Sequence, residues 1–247
     1  MINIRTIIFY MYCIWALFIT SVFSTNKMRR WIKEGNSKKI DDFFVKEVYY
    51  KKVTNILRIC GVTFEVTGTE NVPSDGSVVF ISNHQGNFDV ITLVNVLNRK
   101  ISFIAKKELR KVPFLGEWMA NMGCLFIDRG NIKQSAKIII EAIEYIKAGN
   151  AMTIFPEGTR SKGGSVGEFK AGSFKLAIKS GSTVIPISIE GSYKVMEANK
   201  GKIRPAKIKI KVHEPIETKT MNKEQQNELH NKVRDIIVNG LKEINYQ

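Results

Sequence analysis

The chain has 247 residues, of which 44% are hydrophobic and 10% aromatic, so it can bury the core of one sizeable α/β domain and is not globally disordered. Its formal net charge of +15 indicates an anionic partner (nucleic acid, an acidic membrane surface or a phosphorylated substrate) or a solvated lysine-rich surface without one. Three scattered cysteines and three histidines argue against a disulfide framework and a zinc site.

The first predicted element is an uncharged apolar segment over residues 7–23. As a helix it spans roughly 25 Å, slightly short of a hydrocarbon core of about 30 Å. It is read as a single-pass anchor, a re-entrant or interfacial helix, or a signal peptide. A soluble core helix is a further alternative. The signal peptide is disfavoured because Arg5 is the only positively charged residue before the apolar segment and no clear cleavage site follows it. The cations after the segment place the remainder of the chain on the cytoplasmic side.

A second helix is predicted over residues 41–59, where apolar residues recur at helical spacing between lysines. It is either a basic amphipathic helix on the bilayer or a helix packed on the main domain. We therefore expect N-terminal membrane-associated helices over residues 1–60 and the main domain over residues 61–247.

The main domain alternates short β-rich runs with helical patterns. Strands are predicted over residues 62–66, 78–82, 101–105, 124–128, 152–155, 184–189 and 207–212. Helices are predicted over residues 88–97, 114–122, 132–148, 173–180 and 222–244. This order predicts an α/β fold with a mixed, largely parallel sheet covered by helices. The strict Lys and Ile/Val alternation of residues 207–212 predicts an edge strand with one wet face.

A histidine follows the apolar run 78–82, where a strand ends and where open α/β sheets bind ligands. His84 precedes Asp89 by five residues, and Asn87 is a suitable N-cap for the next helix. A strand-loop-helix corner can fold Asp89 back onto the imidazole, which would then be an oriented base for a hydroxyl. With no serine as nucleophile, the attacking oxygen would be the substrate's own. The alternative is a histidine bonded to a loop carbonyl.

Cationic residues also follow three other apolar runs. Arg160 offers a planar fork suited to phosphate, on a turn where Glu157 can hold the guanidinium, Gly158 permits close approach and Thr159 can donate a hydrogen bond. The other candidates at strand ends are Arg129, and Lys106 with Lys107. The alternative for each is a surface ion pair worth at most about 1 kcal/mol.

Residues 163–167 match the G-x-S-x-G pattern of a hydrolase nucleophile elbow. That elbow needs a strand directly before it and a helix directly after it. Here a polar loop precedes the glycines, so we read the segment as a loop over the site.

These motifs together resemble the phospholipid/glycerol acyltransferase family, and in particular its bacterial-type lysophosphatidic acid acyltransferases. Four family motifs occur in order between Thr63 and Pro215, with Lys106 in an accompanying Ala-Lys-Lys-Glu-Leu segment. The motifs are Asn83-His84-xxxx-Asp89, Gly123-Cys124-Leu125-Phe126-Ile127-Asp128-Arg129, Phe155-Pro156-Glu157-Gly158-Thr159-Arg160-Ser161 and Val184-Ile185-Pro186-Ile187. One departure is Gly86, where members often carry serine.

The resemblance implies that His84 deprotonates the sn-2 hydroxyl of lysophosphatidate, that Asp89 orients it, and that no acyl-enzyme forms. It places the acceptor's phosphate on Glu157, Gly158, Thr159 and Arg160, with Arg129 and Lys106 as further contributors, and puts residues 184–187 along the acyl chain. It implies a glycerolphosphate acyltransferase-like fold, with residues 61–247 as the catalytic domain.

The resemblance implies no metal or redox cofactor, and acyl-CoA or acyl carrier protein as the donor. The expected partners are therefore lysophosphatidic acid, the donor and membrane lipids, at a cell membrane and on its cytoplasmic side. The alternatives are acylation of another lysophospholipid or of glycerol 3-phosphate, or a non-catalytic binder of anionic lipid. Nucleic-acid binding lacks a helix-turn-helix, zinc or RNP-like signature.

Overall fold

The computed structural model describes residues 3–128 and 130–246 of the chain. Its α-helices are Ile4–Lys33 (α1), Ser37–Phe43 (α2), Thr54–Cys60 (α3), Phe88–Val96 (α4), Leu115–Asn121 (α5), Ile132–Lys147 (α6), Ala171–Ser180 (α7) and Lys223–Tyr246 (α8). Its strands are Val62–Thr67 (β1), Val78–Ser82 (β2), Ser102–Lys106 (β3), Leu125–Ile127 (β4), Ala151–Ile154 (β5), Thr183–Glu190 (β6) and Ala206–Val212 (β7). Every strand and helix predicted for the main domain is therefore present, with each end within two residues of its predicted position.

The strands form one sheet in the order β1-β7-β6-β2-β5-β3-β4. Neighbouring strands pair in parallel except for β6 and β7, which are antiparallel. The predicted α/β fold with a mixed, largely parallel sheet is confirmed.

Strand β2 shows why the sequence folds this way. All five of its residues are buried. Val78 and Phe80 pack into the apolar core that contains α4, whereas Val79 and Ile81 pack into the core that contains α6, α7 and α8. A strand with helices on both faces needs apolar residues at every position, which is the continuous run seen in the sequence.

The prediction of an edge strand over residues 207–212 is wrong. Strand β7 lies between β1 and β6, and the described sheet ends at β1 and β4. The alternation instead reports a difference between the two faces of β7. Ile208, Ile210 and Val212 are buried in the core, while Lys207 on the other face pairs with Glu65 of β1 at 2.5 Å.

Helix α1 is longer than the predicted segment and is attached to the main domain near its start. The Asn3 side chain donates to the carbonyl of Ile203 at 3.0 Å, and the Ile203 amide donates to the Thr6 hydroxyl at 2.8 Å. The rings of Phe9 and Phe88 lie 5.9 Å apart. In the part of the chain that the structure describes, no helix combines the length and apolarity needed to cross a membrane.

The predicted second helix is a helical segment in three parts: α2, a π-helical stretch Phe44–Val53, and α3. Val48, Leu57 and Cys60 are buried in the core of the main domain. Lys100 pairs with Asp41 at 2.6 Å, which ties α2 to the loop before β3. Of the two interpretations, the structure therefore supports a helix packed on the main domain.

Candidate active site

Four neighbouring parallel strands, β6, β2, β5 and β3, end at the same edge of the sheet. Ser192, His84 and Glu157 lie shortly after the ends of β6, β2 and β5, and Lys106 is the last residue of β3. Because the carboxyl ends of parallel strands are where open α/β sheets bind ligands, this edge is the candidate site.

His84 and Asp89 form a hydrogen-bonded pair at the end of β2. The distance from His84 Nδ1 to Asp89 Oδ2 is 2.6 Å. The side chain of Asp89 is completely buried in the first turn of α4, whereas that of His84 is 19% exposed. The histidine therefore bonds to a carboxylate rather than to a loop carbonyl. A proton on Nδ1 leaves Nε2 as the basic nitrogen.

The Asp89 carboxylate is held by backbone and side-chain donors. Its Oδ2 atom also accepts from the amides of Gln85 at 2.7 Å and Gly86 at 2.9 Å, so the loop folds back as predicted. Its Oδ1 atom accepts a short hydrogen bond from the hydroxyl of Ser192. The His84 ring stacks on Phe155, with centroids 4.1 Å apart and planes 18° from parallel. Pair and ring are thus fixed before any substrate arrives.

Glu157 joins the loops that follow β2 and β5. It is buried, and its two carboxylate oxygens accept from the amide of His84 at 2.6 Å and that of Gly167 at 2.9 Å. The Ser161 amide adds a hydrogen bond to the His84 carbonyl at 2.8 Å. The expectation that Glu157 holds the Arg160 guanidinium is wrong, because both of its oxygens bind backbone amides instead.

Arg160 is held by two residues that lie far from it in sequence. Its Nη1 atom donates to Asn87 Oδ1 at 2.7 Å and to Glu197 Oε1 at 3.2 Å. The same Glu197 oxygen accepts from the Asn87 amide at 2.8 Å. The sequence position of Asn87 suggested that its side chain caps α4, but the side chain makes no capping hydrogen bond. It binds Arg160 instead, from a position three residues after His84.

Two of these residues were not predicted from the sequence. Ser192 lies two residues after the end of β6, so the rule that located His84 after β2 could have found it as well. Glu197 lies in a short 3-10 turn after β6 and carries no recognisable motif. Gly86 is packed against it, since a Cβ at Gly86 would lie 2.5 Å from Glu197 Oε2.

The remaining predicted residues fall in different places. Gly158 has a left-handed φ of +71°, and Thr159 is exposed beside Arg160. Lys106 is exposed at the end of β3 on the same sheet edge. Lys107 bonds to Asp128 at 2.5 Å, which raises the pKa of the lysine and lowers that of the carboxyl. Arg129 lies outside the described residues.

Residues 184–187 do not line an open surface. Val184, Ile185 and Ile187 have no exposed area and lie in the centre of the sheet. The expectation that they line an acyl-chain region is therefore not supported by their burial. In the described chain, residues 155–170 contain neither strand nor helix, so residues 163–167 are a loop and not a nucleophile elbow.

Comparisons with known proteins show which family the chain belongs to. A family model described as Acyltransferase matches residues 63–190, which is more than half of the chain. The chain belongs to the acyltransferase family.

Several relatives resemble this acyltransferase over most of their length. The "Probable 1-acyl-sn-glycerol-3-phosphate acyltransferase" of Mycoplasma pneumoniae is 32% identical over 83% of each chain. The 1-acyl-sn-glycerol-3-phosphate acyltransferase of Borreliella burgdorferi is 30% identical over 76% of this chain and 75% of its own. The crystal structure of the 1-acyl-sn-glycerophosphate (LPA) acyltransferase PlsC from Thermotoga maritima matches with a TM-score of 0.82, 28% identity and coverage of 99% of this chain and 98% of that one.

In this acyltransferase, the chemistry available at the sheet edge is that of a base beside a cation. Among residues 3–128 and 130–246, no group of three or more histidine, cysteine, aspartate or glutamate side chains could hold a metal ion. The arrangement can remove a proton from a hydroxyl at His84 while Arg160 binds an anion nearby.

Proposed function

We propose that the protein transfers an acyl group from an acyl thioester to the sn-2 hydroxyl of 1-acyl-sn-glycerol 3-phosphate and so forms phosphatidic acid. The observation that carries this proposal is the His84–Asp89 pair beside Arg160 at one sheet edge. The printed names of the relatives support the choice of acceptor. Residues 61–247 form the catalytic domain in this account.

The transfer is a direct attack by the acceptor's hydroxyl. His84 Nε2 takes the hydroxyl proton as the oxygen bonds to the thioester carbonyl carbon. The tetrahedral adduct then expels the thiolate, which receives that proton from the imidazolium. One C–O bond forms and one C–S bond breaks. General-base action of this kind contributes about 10²- to 10⁴-fold to the rate, and Asp89 stabilises the imidazolium while the proton is held.

Arg160 binds the acceptor's phosphate. Its Nη1 atom donates hydrogen bonds to Asn87 and Glu197, so the guanidinium is oriented before the substrate binds. A planar fork of donors suits phosphate oxygens better than an ammonium does. Gly158 and Thr159 lie on the same turn, and Lys106 is on the neighbouring strand end, which supports their assignment to the phosphate site. Arg129 belongs to this assignment by its position in the family motif.

The donor is acyl-CoA or acyl carrier protein, both of which are anionic. The net charge of +15 favours the approach of either one, because electrostatic steering raises the rate at which oppositely charged partners meet. The charge does not distinguish between them.

We further propose that the protein lies on a membrane surface through an apolar patch. Along one face of α1 the exposed residues are Ile4, Ile7, Ile8, Met11, Ile14, Trp15 and Phe18. The patch continues onto Leu109, Val112 and Phe114, because the rings of Phe18 and Phe114 lie 6.0 Å apart. A contiguous exposed apolar surface of this kind is typical of membrane or protein contact sites. A lipid acceptor favours the membrane.

Sedimentation with anionic liposomes tests the patch. Changing Phe18 and Phe114 together to serine should lower the bound fraction. Ile140→Ser is the matched control, because Ile140 is 62% exposed but lies on α6, outside the patch. Equal losses for both variants, or no loss for the double change, would refute this placement.

Mass spectrometry of the lipid products tests the reaction. Purified protein is incubated with acyl-CoA or acyl carrier protein and with lysophosphatidate, glycerol 3-phosphate or another lysophospholipid as separate acceptors. We expect phosphatidate from lysophosphatidate as the main product. A higher rate with either other acceptor would move the assignment to that substrate, and no product with any would favour a lipid binder.

A further inference from the structure

Ser192 contacts Asp89 of the catalytic pair from the chain that follows the neighbouring strand β6. It follows β6 and Gly191, and its side chain has no exposed area. Its hydroxyl lies within hydrogen-bond distance of Asp89 Oδ1 and 3.4 Å from Gln85 Oε1. An ionised carboxylate is the stronger acceptor and the nearer one, so the single hydroxyl proton goes to Asp89.

The two oxygens of Asp89 are held unequally. Oδ2 accepts from the His84 ring and from the amides of Gln85 and Gly86. Among the described residues, Oδ1 receives its hydrogen bond from Ser192 alone. Without that hydroxyl, a buried anionic oxygen would lack a donor, and the carboxylate could turn about its Cβ–Cγ bond away from the imidazole. Removing one partner of a buried charged hydrogen bond is costly for this reason.

We propose that Ser192 is a positioning residue for the acyl transfer, whose hydroxyl fixes the Asp89 carboxylate and thereby the orientation and tautomer of His84. The proposal rests on the proposed function for its kinetic consequences, but the hydrogen bond itself can be observed without substrate. Ser192 touches neither the hydroxyl nor the thioester, so it acts only through Asp89.

A purely structural role would look different. A hydroxyl that merely tied the turn after β6 to α4 would affect stability without changing turnover. Ser188 provides the matched control, because it lies on β6, the strand that Ser192 follows, and is equally buried. Its hydroxyl donates to the Ile237 carbonyl at 2.9 Å, far along the chain from the catalytic pair.

The test compares Ser192→Ala, Ser192→Thr, Ser192→Cys and Ser188→Ala in the full chain with lysophosphatidate and acyl-CoA. We expect Ser192→Ala to lower kcat by about ten- to a hundredfold, the usual effect of losing a hydrogen bond to a charged group, with little change in either KM. Ser192→Cys keeps the volume but has a weak donor, so it should lose activity similarly. Ser192→Thr keeps the hydroxyl and should restore most of kcat.

Proton NMR of the histidine ring N–H groups supplies a second readout. The chain has three histidines, so the His84 Nδ1 proton can be identified by its loss in His84→Ala. We expect this resonance to shift or exchange faster in Ser192→Ala and Ser192→Cys, and to persist in Ser192→Thr and Ser188→Ala.

The proposal is overturned if Ser192→Ala and Ser188→Ala lower kcat equally, if Ser192→Ala keeps wild-type kcat, or if the His84 resonance is unchanged in both the alanine and cysteine variants. If Ser192→Ala does not fold, the cysteine and threonine variants decide between the same outcomes. Failure of the proposed function would appear separately, as a wild-type protein that forms no phosphatidate, and the NMR comparison would still decide the role of Ser192.

Discussion

Replacing Asp89 with asparagine isolates the contribution of one buried charge. Three N–H groups meet at Oδ2, from the His84 ring and the amides of Gln85 and Gly86. The amide oxygen of an asparagine must take that place. Its NH₂ group then faces Ser192, whose hydroxyl can turn to accept. All polar groups stay paired, so we expect Asp89→Asn to fold and to keep the His84 tautomer.

What the variant loses is the attraction between the carboxylate and the imidazolium that forms during the reaction. Two unit charges about 4 Å apart interact by about 4 kcal/mol at an effective dielectric constant of about 20. That corresponds to a loss of about 10³ in kcat. The loss should be smaller than the factor of about 10⁴ typical when the corresponding change also alters the histidine tautomer.

The assay measures thiol release from acyl-CoA at saturating lysophosphatidate for Asp89→Asn, His84→Ala and the double variant. Since Asp89 acts only through His84, the double variant should be no slower than His84→Ala alone. Independent losses that multiply in the double variant would refute the reasoning. Asp89→Asn activity above about a tenth of wild type would refute it as well.

Three further changes probe the phosphate site and the pH dependence of stability. Arg160→Lys keeps the charge but loses the planar fork, so steady-state kinetics should show KM for lysophosphatidate raised about tenfold and kcat little changed; an unchanged KM would contradict the assignment. Gly86→Ser would place a Cβ 2.5 Å from Glu197 Oε2 and displace that carboxylate from Arg160. The KM for lysophosphatidate should therefore rise in Gly86→Ser, whereas adding Gly86→Ser to a Glu197→Ala protein should raise it no further. Burial lowers the pKa of His213 from 6.5 to about 4, so the unfolded state gains the proton first and stability falls as the pH drops from about 6.5 towards 4. Urea unfolding near pH 7 and near pH 5 should therefore show a smaller loss of stability for His213→Gln than for the wild type. An equal loss of stability in the two proteins would exclude His213 as its cause.

The sequence predicted those features that depend on local patterns. Strand β2 was recognisable because helices cover both its faces, which requires an unbroken apolar run. The helix predicted over residues 132–148 ends as expected, because Gly149 follows it with a left-handed φ of +91°, a conformation common directly after helices. The pairing of His84 with Asp89 could be predicted because a single short loop brings the two side chains together.

The errors concern contacts between distant parts of the chain. Glu157 is near Arg160 in sequence, yet buried backbone amides of His84 and Gly167 take both of its oxygens. Ser192 reaches Asp89 across 103 residues of sequence, and Glu197 reaches Asn87 across 110. Such contacts depend on the order of β6 and β2 in the sheet, which periodicity does not reveal.

The most direct test of the central claim compares wild-type protein with His84→Ala for both turnover and acceptor binding. Phosphatidate formation from lysophosphatidate and an acyl thioester is followed by mass spectrometry, and lysophosphatidate binding is measured in parallel without the donor. We predict that His84→Ala forms phosphatidate at least about 10²-fold more slowly while it binds lysophosphatidate as tightly as wild type. Wild-type turnover in His84→Ala, or a loss of turnover explained fully by lost binding, would contradict the assignment of His84 as the base.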